Sequence, residues 1–216
     1  MSGGGAPTLR LTGAAAAGYL AGSLPSADLA ARFAAGGTDL RTLGTGNPGA
    51  ANAMAVLGTG WGYGVLAADV AKAAVACRAG RAIAGGPGAH VGGVAAVVGH
   101  CFPWHARFRG GKGVAASAGQ CLATFPAYFP VDLAVAGLTG VLPWWRKRAL
   151  ATTVIASVAW VGAGVVWWRR DWPNLWGPRP SAGLPLAATA TSTIIVYRFL
   201  SAARASASSR ALPEEA

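Results

Sequence analysis

The chain has 216 residues, of which 53% are hydrophobic and only 12% are charged. Soluble domains usually have about a quarter of their residues charged, so this composition excludes a water-soluble protein and indicates an integral membrane protein. A net charge of +11 would indicate a nucleic-acid partner in a soluble protein. Because the basic residues cluster between apolar runs, we interpret them as the positive-inside pattern of membrane proteins, attracted to anionic lipid headgroups.

Apolar runs, which we predict to be helices, alternate with polar segments along the chain. The first run is interrupted near residues 22–28, a glycine-rich polar segment follows over residues 36–52, and a strongly basic loop covers residues 105–112. We expect a hairpin over residues 81–88, between the second run and the third. In chain order the runs cover about 11–35, 61–79, 89–102, 113–145, 149–168 and 184–200.

The run over residues 113–145 is too long for one span. As a single helix its 33 residues would be about 50 Å long, whereas the hydrocarbon core is about 30 Å thick. Pro126 and Pro130 interrupt it, which predicts two short helices joined by a turn. The sequence thus predicts an all-α fold, a polytopic membrane helix bundle of about seven short transmembrane helices. We expect residues 1–203 to form one transmembrane domain and residues 204–216 a flexible tail.

The distribution of basic residues predicts the orientation. With the N-terminus outside, eleven Lys and Arg residues lie on the inner side and six on the outer side. We therefore expect a multi-pass protein of the cell inner (plasma) membrane. Its cytoplasmic face is predicted to bring segments 36–52 and 105–113 side by side, with residues 146–148 nearby, as an active site at the interface.

The first polar constellation combines glycines with hydrogen-bond donors and a charge. It contains Ser23 in a Gly-Ser-Leu-Pro turn, Arg41 in an Asp-Leu-Arg tripeptide, and Gly-Thr-Gly-Asn-Pro-Gly-Ala-Ala-Asn over residues 44–52. Glycines let backbone N–H groups approach an anion closely, and the Thr, Asn and Arg side chains add donors and charge. The pattern fits an anion site and also an ordinary turn between two spans.

The second constellation places Lys112 in a Gly-Gly-Lys-Gly turn that opens a helix, just after Gly-His-Cys-Phe-Pro over residues 99–103. A lysine at a helix N-terminus is a phosphate cradle in physical terms. It is not a Walker loop, because Gly113 follows the lysine where Ser or Thr should stand and Ala106 occupies the first Gly position. The alternatives are a basic topology signal for the loop and a structural hydrogen-bonding role for His100.

A pair of charges lies inside the second apolar run. Asp69 and Lys72 are three residues apart, so they share one helix face and can pair. Charges within a membrane are costly and often functional, although a structural pair facing the bundle interior is the other interpretation. The three cysteines are widely spaced and predict neither a metal site nor a disulfide framework.

Together these segments resemble the bacterial acyl-phosphate:glycerol-3-phosphate acyltransferase family, often called PlsY. The family's Gly-Ser-Ile-Pro, Asp-Ile-Arg and Gly-Ser-Gly-Asn-x-Gly-Ala-Thr-Asn are matched over residues 22–52, with Thr45 and Ala51 substituted. Its Gly-His-x-x-Pro and Phe-x-Gly-Gly-Lys-Gly-Val-Ala are nearly complete over residues 99–115. Its Asp-x-x-Lys is matched by Asp69 and Lys72.

The resemblance implies a membrane acyltransferase of phospholipid biosynthesis, which moves a fatty acyl group from acyl phosphate to the first hydroxyl of glycerol 3-phosphate and gives lysophosphatidic acid. The expected partners are these two substrates and membrane lipids; we expect no cofactor, no metal and no nucleic acid. The residues implied as catalytic are Lys112, His100 and Asn47. Those implied as substrate-binding are Ser23, Arg41, Thr45, Gly46, Asn52, Gly110, Gly111 and Gly113.

The chain departs from the family pattern at several positions. An Arg expected after the first motif is Ala55, and a Ser expected before the sixth span is Ala151, unless Thr152 or Thr153 substitutes for it. Of the C-terminal His-x-x-Asn-Ile-x-Arg-Leu motif, we find only Tyr-Arg-Phe-Leu over residues 197–200. Two alternatives therefore stay open: a weak or silent paralogue that binds anionic lipid or a partner enzyme, and a small transporter that uses the intramembrane charge pair.

Overall fold

The regular structure of the chain is helical. The computed structural model describes the backbone of residues 5–141 and 149–211 and the side chains of residues 5–135 and 149–205. Every regular element in these ranges is a helix, which confirms the predicted all-α fold class. The helices are α1 Gly5–Gly22, α2 Ser26–Ala35, α3 Ala50–Leu57, α4 Thr59–Cys101, α5 Val114–Thr124, α6 Phe129–Val141, α7 Ala149–Arg170 and α8 Gly183–Ala211, with a 3-10 turn at Trp104–Ala106.

The polar interruption in the first apolar run separates α1 from α2. Ser23 follows the last residue of α1, and its hydroxyl donates a hydrogen bond to the carbonyl of Tyr19 at 2.8 Å. Pro25 is the N-cap residue of α2. The carbonyls of Ser23 and Leu24 lie in this break, where side chains from other parts of the chain bind them.

The predicted hairpin between the second and third runs is confirmed within α4. The backbone is non-helical at Ala84 and Gly85, and Gly85 has a φ of 65°, which glycine adopts without strain. The two halves of α4 then fold back on each other. They pack so closely that a Cβ on Gly80 would overlap the carbonyl oxygen of Gly88. Glycines at such a contact let two membrane helices approach closely.

Small residues also join α1 to the second half of α4. A Cβ on Gly18 would overlap the carbonyl oxygen of Gly92, and a Cβ on Gly22 would overlap that of Ala96. The spacing of four residues on both helices forms a stripe of small residues typical of membrane helix pairs. This contact sets the break after α1 beside the end of α4, where His100 lies.

Residues 113–145 do not form one helix. α5 ends at Thr124, α6 begins at Phe129, and Pro126 lies between them, as predicted. Pro130 lies in the first turn of α6, where a missing N–H costs no helical hydrogen bond. At about 1.5 Å per residue, α5 is about 16 Å long and is too short to span a hydrocarbon core of about 30 Å alone, and the described part of α6 is about 20 Å long.

α7 and α8 pack in opposite directions. Trp160 shares a buried cluster with Ala188, and one turn further a Cβ on Gly164 would lie 3.3 Å from the Cα of Pro185. α8 remains helical to Ala211, beyond the predicted domain end at residue 203. No helix end marks that boundary, and the division into domain and tail stays a prediction.

The apolar character of the helices agrees with a membrane protein. Within the described residues, three stretches are long and apolar enough to cross a membrane: Thr59–Ala106, Ala149–Arg170 and Gly183–Ala205. The first includes both halves of the α4 hairpin. The basic residues 146–148, predicted to lie near the active face, are outside the described residues.

Candidate active site

A small polar cavity of about 30 Å³ lies where the α1–α2 break meets the end of α4 and the loop after it. We call it the polar pocket. Since one water needs about 10–15 Å³, the pocket holds about two waters in this conformation. It brings together residues from both polar constellations and the charge pair: Ser23, Ser26, Asp28, Arg41, Asp69, Lys72, His100, His105, Gly110 and Gly111.

The predicted pairing of Asp69 with Lys72 is confirmed. The Lys72 Nζ lies 2.8 Å from the Asp69 Oδ1, and the two side chains are only 6% and 3% exposed. Ser26 donates to the same carboxylate oxygen at 2.9 Å, and Lys72 donates to the carbonyl of Leu24 at 3.0 Å. His100 Nδ1 lies 3.4 Å from that oxygen. The pair fastens the α1–α2 break to α4, which favours a structural interpretation over transport.

Arg41 joins the two polar constellations. Its guanidinium binds both oxygens of Asp28, at 2.6 and 3.1 Å, and its Nε donates to the carbonyl of Arg109 at 2.8 Å. The last contact confirms that segments 36–52 and 105–113 lie side by side. The backbone N–H of Arg41, with its guanidinium, lowers the pKa of the Asp39 carboxyl below its ordinary 3.8. Arg41 would have to exchange one carboxylate partner to bind a substrate phosphate.

The glycine turn over residues 110–113 is held from the α4 side. The N–H groups of Gly110 and Gly111 each donate at 3.1 Å to a carbonyl at the end of α4. Both N–H groups therefore already have hydrogen-bond partners within the protein. In the predicted phosphate cradle, an anion would contact Lys112 and the free N–H groups at the start of α5. Gly113 caps α5 with a φ of 92°, a conformation that favours glycine.

Arg198, on α8, holds the other side of this turn, a contact that the sequence analysis did not predict. Its Nη2 donates to the carbonyl of Gly110 at 2.6 Å and its Nε to that of Gly111 at 3.0 Å. The guanidinium also lies 5.3 Å from the ring centroid of Phe102. The sequence feature that could have indicated a role for Arg198 is its position in Tyr-Arg-Phe-Leu, the remnant of the C-terminal family motif.

Lys112 does not line the polar pocket. Its Nζ lies 4.6 Å from the ring centroid of Phe199, in a cation–π contact. Burial, and secondarily the positive charge of Arg198, lower the pKa of Lys112 below its ordinary 10.5. Among the residues that the structure describes, no carboxylate pairs with this ammonium group.

A second cavity of about 820 Å³ opens between α3, α5, α6, α7 and α8, and we call it the apolar cleft. Phe199 and Val114 line it, so Lys112 stands between the cleft and the polar pocket. Its size and its predominantly apolar lining suit a fatty chain. The other residues around it include Met54, Val135, Ala156, Trp160 and Ile195, with a few polar side chains such as Thr45, Asp132 and Ser192.

The predicted residues of segment 44–52 have different surroundings. Thr45 lines the apolar cleft, and its N–H donates to Asn52 Oδ1 at 2.8 Å. Asn52 is 1% exposed and also donates to two carbonyls of the preceding turn, so its amide holds the loop. Gly46 has a φ of 68°. Asn47 lines neither cavity.

Two positions that depart from the family pattern lie on the apolar cleft. Ala55 lines it with a methyl group where the family has an Arg, so no cation projects from this position. Thr152 and Thr153 line it as well, which puts hydroxyl groups next to the position of the family's Ser. Within the described side chains, no cluster of three or more His, Cys, Asp or Glu residues could hold a metal ion.

Comparison with known proteins places this architecture in a family. A family model described as glycerol-3-phosphate acyltransferase matches residues 12–208. Proteins named glycerol-3-phosphate acyltransferase are similar in sequence. That of Rubrobacter xylanophilus is 39% identical over 149 residues, 66% of this chain and 70% of the relative, and that of Gloeobacter violaceus is 43% identical over 149 residues, 67% and 71%.

Solved structures agree at the level of the fold. The crystal structure of the integral membrane glycerol 3-phosphate acyltransferase PlsY in its glycerol 3-phosphate form has a TM-score of 0.71 at 24% identity and covers 95% of this chain and 94% of that one. Its lysophosphatidic acid form has a TM-score of 0.70 at 23% identity, covering 93% of each chain. The chain is therefore a membrane acyltransferase and belongs to the glycerol-3-phosphate acyltransferase family.

Proposed function

We propose that this protein transfers a fatty acyl group from an acyl phosphate to the first hydroxyl of glycerol 3-phosphate, at the cytoplasmic face of the inner (plasma) membrane. The products are lysophosphatidic acid and inorganic phosphate. The observation that carries the proposal is the placement of a polar pocket and an apolar cleft on the two sides of one short segment. Gly110 and Gly111 line the pocket, and Val114 lines the cleft.

This arrangement suits a reaction between a water-soluble anion and an acyl chain. The acyl chain lies in the apolar cleft, with its phosphate toward Lys112, and glycerol 3-phosphate enters the polar pocket. Because the pocket holds only about two waters, the α1–α2 break and the 105–113 loop have to separate when the second substrate binds.

The reaction needs no covalent intermediate with the protein, because the acyl phosphate is already activated. The bond between the acyl carbonyl carbon and the phosphate oxygen breaks, and an ester bond forms between that carbon and the first hydroxyl oxygen of glycerol 3-phosphate. Phosphate leaves with the electron pair of the broken bond, and the hydroxyl proton passes to a base or to the phosphate. The protein holds two anions together and stabilises the charge that develops.

The residue roles follow from these positions. Lys112 supplies a cation at the boundary of the two cavities, and the His100 imidazole lines the polar pocket next to Gly111. Asn47 is kept as a third catalytic candidate, on the segment that joins both cavities. The substrate-binding set is Ser23, Arg41, Thr45, Gly46, Asn52, Gly110, Gly111 and Gly113, with Asn52 acting through its hold on the loop.

The decisive experiment is an assay of the purified full-length protein with acyl phosphate and glycerol 3-phosphate, following both phosphate release and lysophosphatidic acid. After subtraction of the phosphate released by spontaneous acyl phosphate hydrolysis, we expect equal amounts of the two products. In parallel, the gene should complement a strain that lacks its own acyl-phosphate-dependent acyltransferase. Folded protein that gives no lysophosphatidic acid and no complementation would establish the silent paralogue instead.

Arg198 offers a test of the glycine turn. We expect Arg198→Gln to lower kcat/KM about tenfold, since a misplacement of 1 Å can cost about a hundredfold and the backbone bonds of Gly110 and Gly111 still hold part of the geometry. Steady-state kinetics measure this, with Arg170→Gln at the far end of α7 as the control. Equal kinetics for the two variants would contradict a role for Arg198 in the site.

The lowered pKa of Lys112 predicts a pH dependence. The cationic form is the active one, so activity is lost as pH rises through a pKa below the ordinary 10.5. Removing the positive charge in Arg198→Gln should raise this pKa and move the alkaline limb of kcat/KM to higher pH. Profiles corrected for spontaneous acyl phosphate hydrolysis measure the shift; an identical limb in both proteins would show that another group titrates.

A further inference from the structure

Among the described residues that line the apolar cleft, Trp160 has the largest side chain and is the last one along α7. Trp160 lines the cleft yet is only 6% exposed. Its other side belongs to a buried cluster with Phe125, Tyr128 and Leu184, in which Phe125 and Tyr128 stack with ring centroids 5.3 Å apart. Beyond this level α7 and α8 are in close contact, so the indole is the floor of the cleft.

Two helices give the depth of the cleft independently. On α7, eleven residues separate Ala149 at the mouth from Trp160 at the floor, and on α8 eleven residues separate Phe199 at the mouth from Ala188 beside Trp160. At about 1.5 Å per residue, both give a depth of about 16 Å. With C–C bonds of about 1.5 Å, an extended alkyl chain advances about 1.3 Å per carbon, so about 12 carbons fit.

We propose that Trp160 sets the length of the acyl chain that this enzyme transfers, by forming the floor of the cleft. The inference rests on the proposed function, because it takes the cleft as the acyl site. It adds that the chain ends against the indole instead of leaving the cleft into lipid. Trp160 is then a specificity-determining residue, and acyl donors longer than about 12 carbons are poor substrates.

The lining of the cleft allows the floor to be moved in both directions. Trp160→Ala should deepen the cleft by about one helical turn, or 5.4 Å, and admit about four more carbons. Ala156 lines the cleft one turn nearer the mouth, so Ala156→Phe should raise the floor by the same amount and exclude about four carbons. Ala159→Phe is a matched control, because Ala159 is exposed on the outer side of α7 and does not line the cleft.

The experiment measures kcat/KM of the purified full-length protein and its three variants with saturated acyl phosphates of about 8 to 20 carbons. We expect Trp160→Ala to raise the ratio of long-chain to medium-chain kcat/KM at least about tenfold and Ala156→Phe to lower it by as much, since single methylenes in a pocket already discriminate about tenfold or more. Ala159→Phe should keep the wild-type profile.

If Trp160→Ala is too unstable to assay, Ala156→Phe still tests the inference. It leaves the indole in place, and we expect it to shift the chain-length preference toward shorter acyl chains. Active variants whose chain-length profiles all equal that of the wild type would overturn the inference, since the chain would then leave the cleft sideways. Absence of transfer by the wild type at every chain length would instead refute the proposed function.

Discussion

Lys112→Ala is expected to lower acyl transfer at least about tenfold while the protein stays folded and inserted. A charge-assisted contact contributes about 1.5–3 kcal/mol, and the described structure offers no second unpaired cation at the boundary between pocket and cleft. Ala55 lines the cleft where the family has an Arg, which leaves Lys112 with a larger share of the phosphate charge. Phosphate release from acyl phosphate, in the presence of glycerol 3-phosphate, measures the loss.

Two further variants separate the charge of Lys112 from its other roles. Lys112→Arg keeps the charge, yet we expect poor rescue, because a planar guanidinium does not replace a compact ammonium in a tight turn. Arg107→Ala removes an exposed cation from the same loop and should keep most of the activity. Full activity in Lys112→Ala, or equal losses of activity in Lys112→Ala and Arg107→Ala, would contradict the phosphate cradle. The basic loop would then serve only as a topology signal.

Local sequence signals predicted the breaks between helices correctly. Gly85 permits the left-handed backbone that reverses α4, and Pro126 lies in the turn between α5 and α6. Both effects act within a few residues of the glycine or proline, so they can be deduced from sequence alone. The pairing of Asp69 with Lys72 was equally accessible, because a spacing of three residues fixes it on one helix face.

Contacts that complete the site join distant parts of the chain and could not be deduced this way. His105 Nε2 lies 2.6 Å from the carbonyl of Ser23, 82 residues earlier, and Arg198 reaches the carbonyl of Gly110 across 88 residues. These partners are set by how α1, α4 and α8 pack, which hydrophobic periodicity does not specify. The direction of Lys112 depends likewise on Phe199, which follows it by almost half the chain.

The buried charge pair at Asp69 and Lys72 should matter more for stability than any other ion pair that the structure describes. Both side chains are almost fully buried, and the three donors of the ammonium meet Asp69, Leu24 and Ser26. Removing one partner of such a pair leaves an uncompensated charge in a poorly solvated site, which usually costs about 3–5 kcal/mol. The exposed pair Arg179–Asp171 lacks this property, because water solvates both of its charges.

Lys72→Met is accordingly expected to lower the free energy of unfolding by about 3–5 kcal/mol, and Asp69→Asn by a comparable amount. The double variant should lose less than the sum of the two single losses, by at least about 1 kcal/mol, because it leaves no unpaired charge. Unfolding of the purified protein in detergent measures all three, with Arg179→Gln as the exposed control, for which we expect no measurable change. Additive losses of stability would show that the two side chains act independently. A double variant that regains stability but not acyl transfer would show that the pair also positions His100 and the α1–α2 break for catalysis.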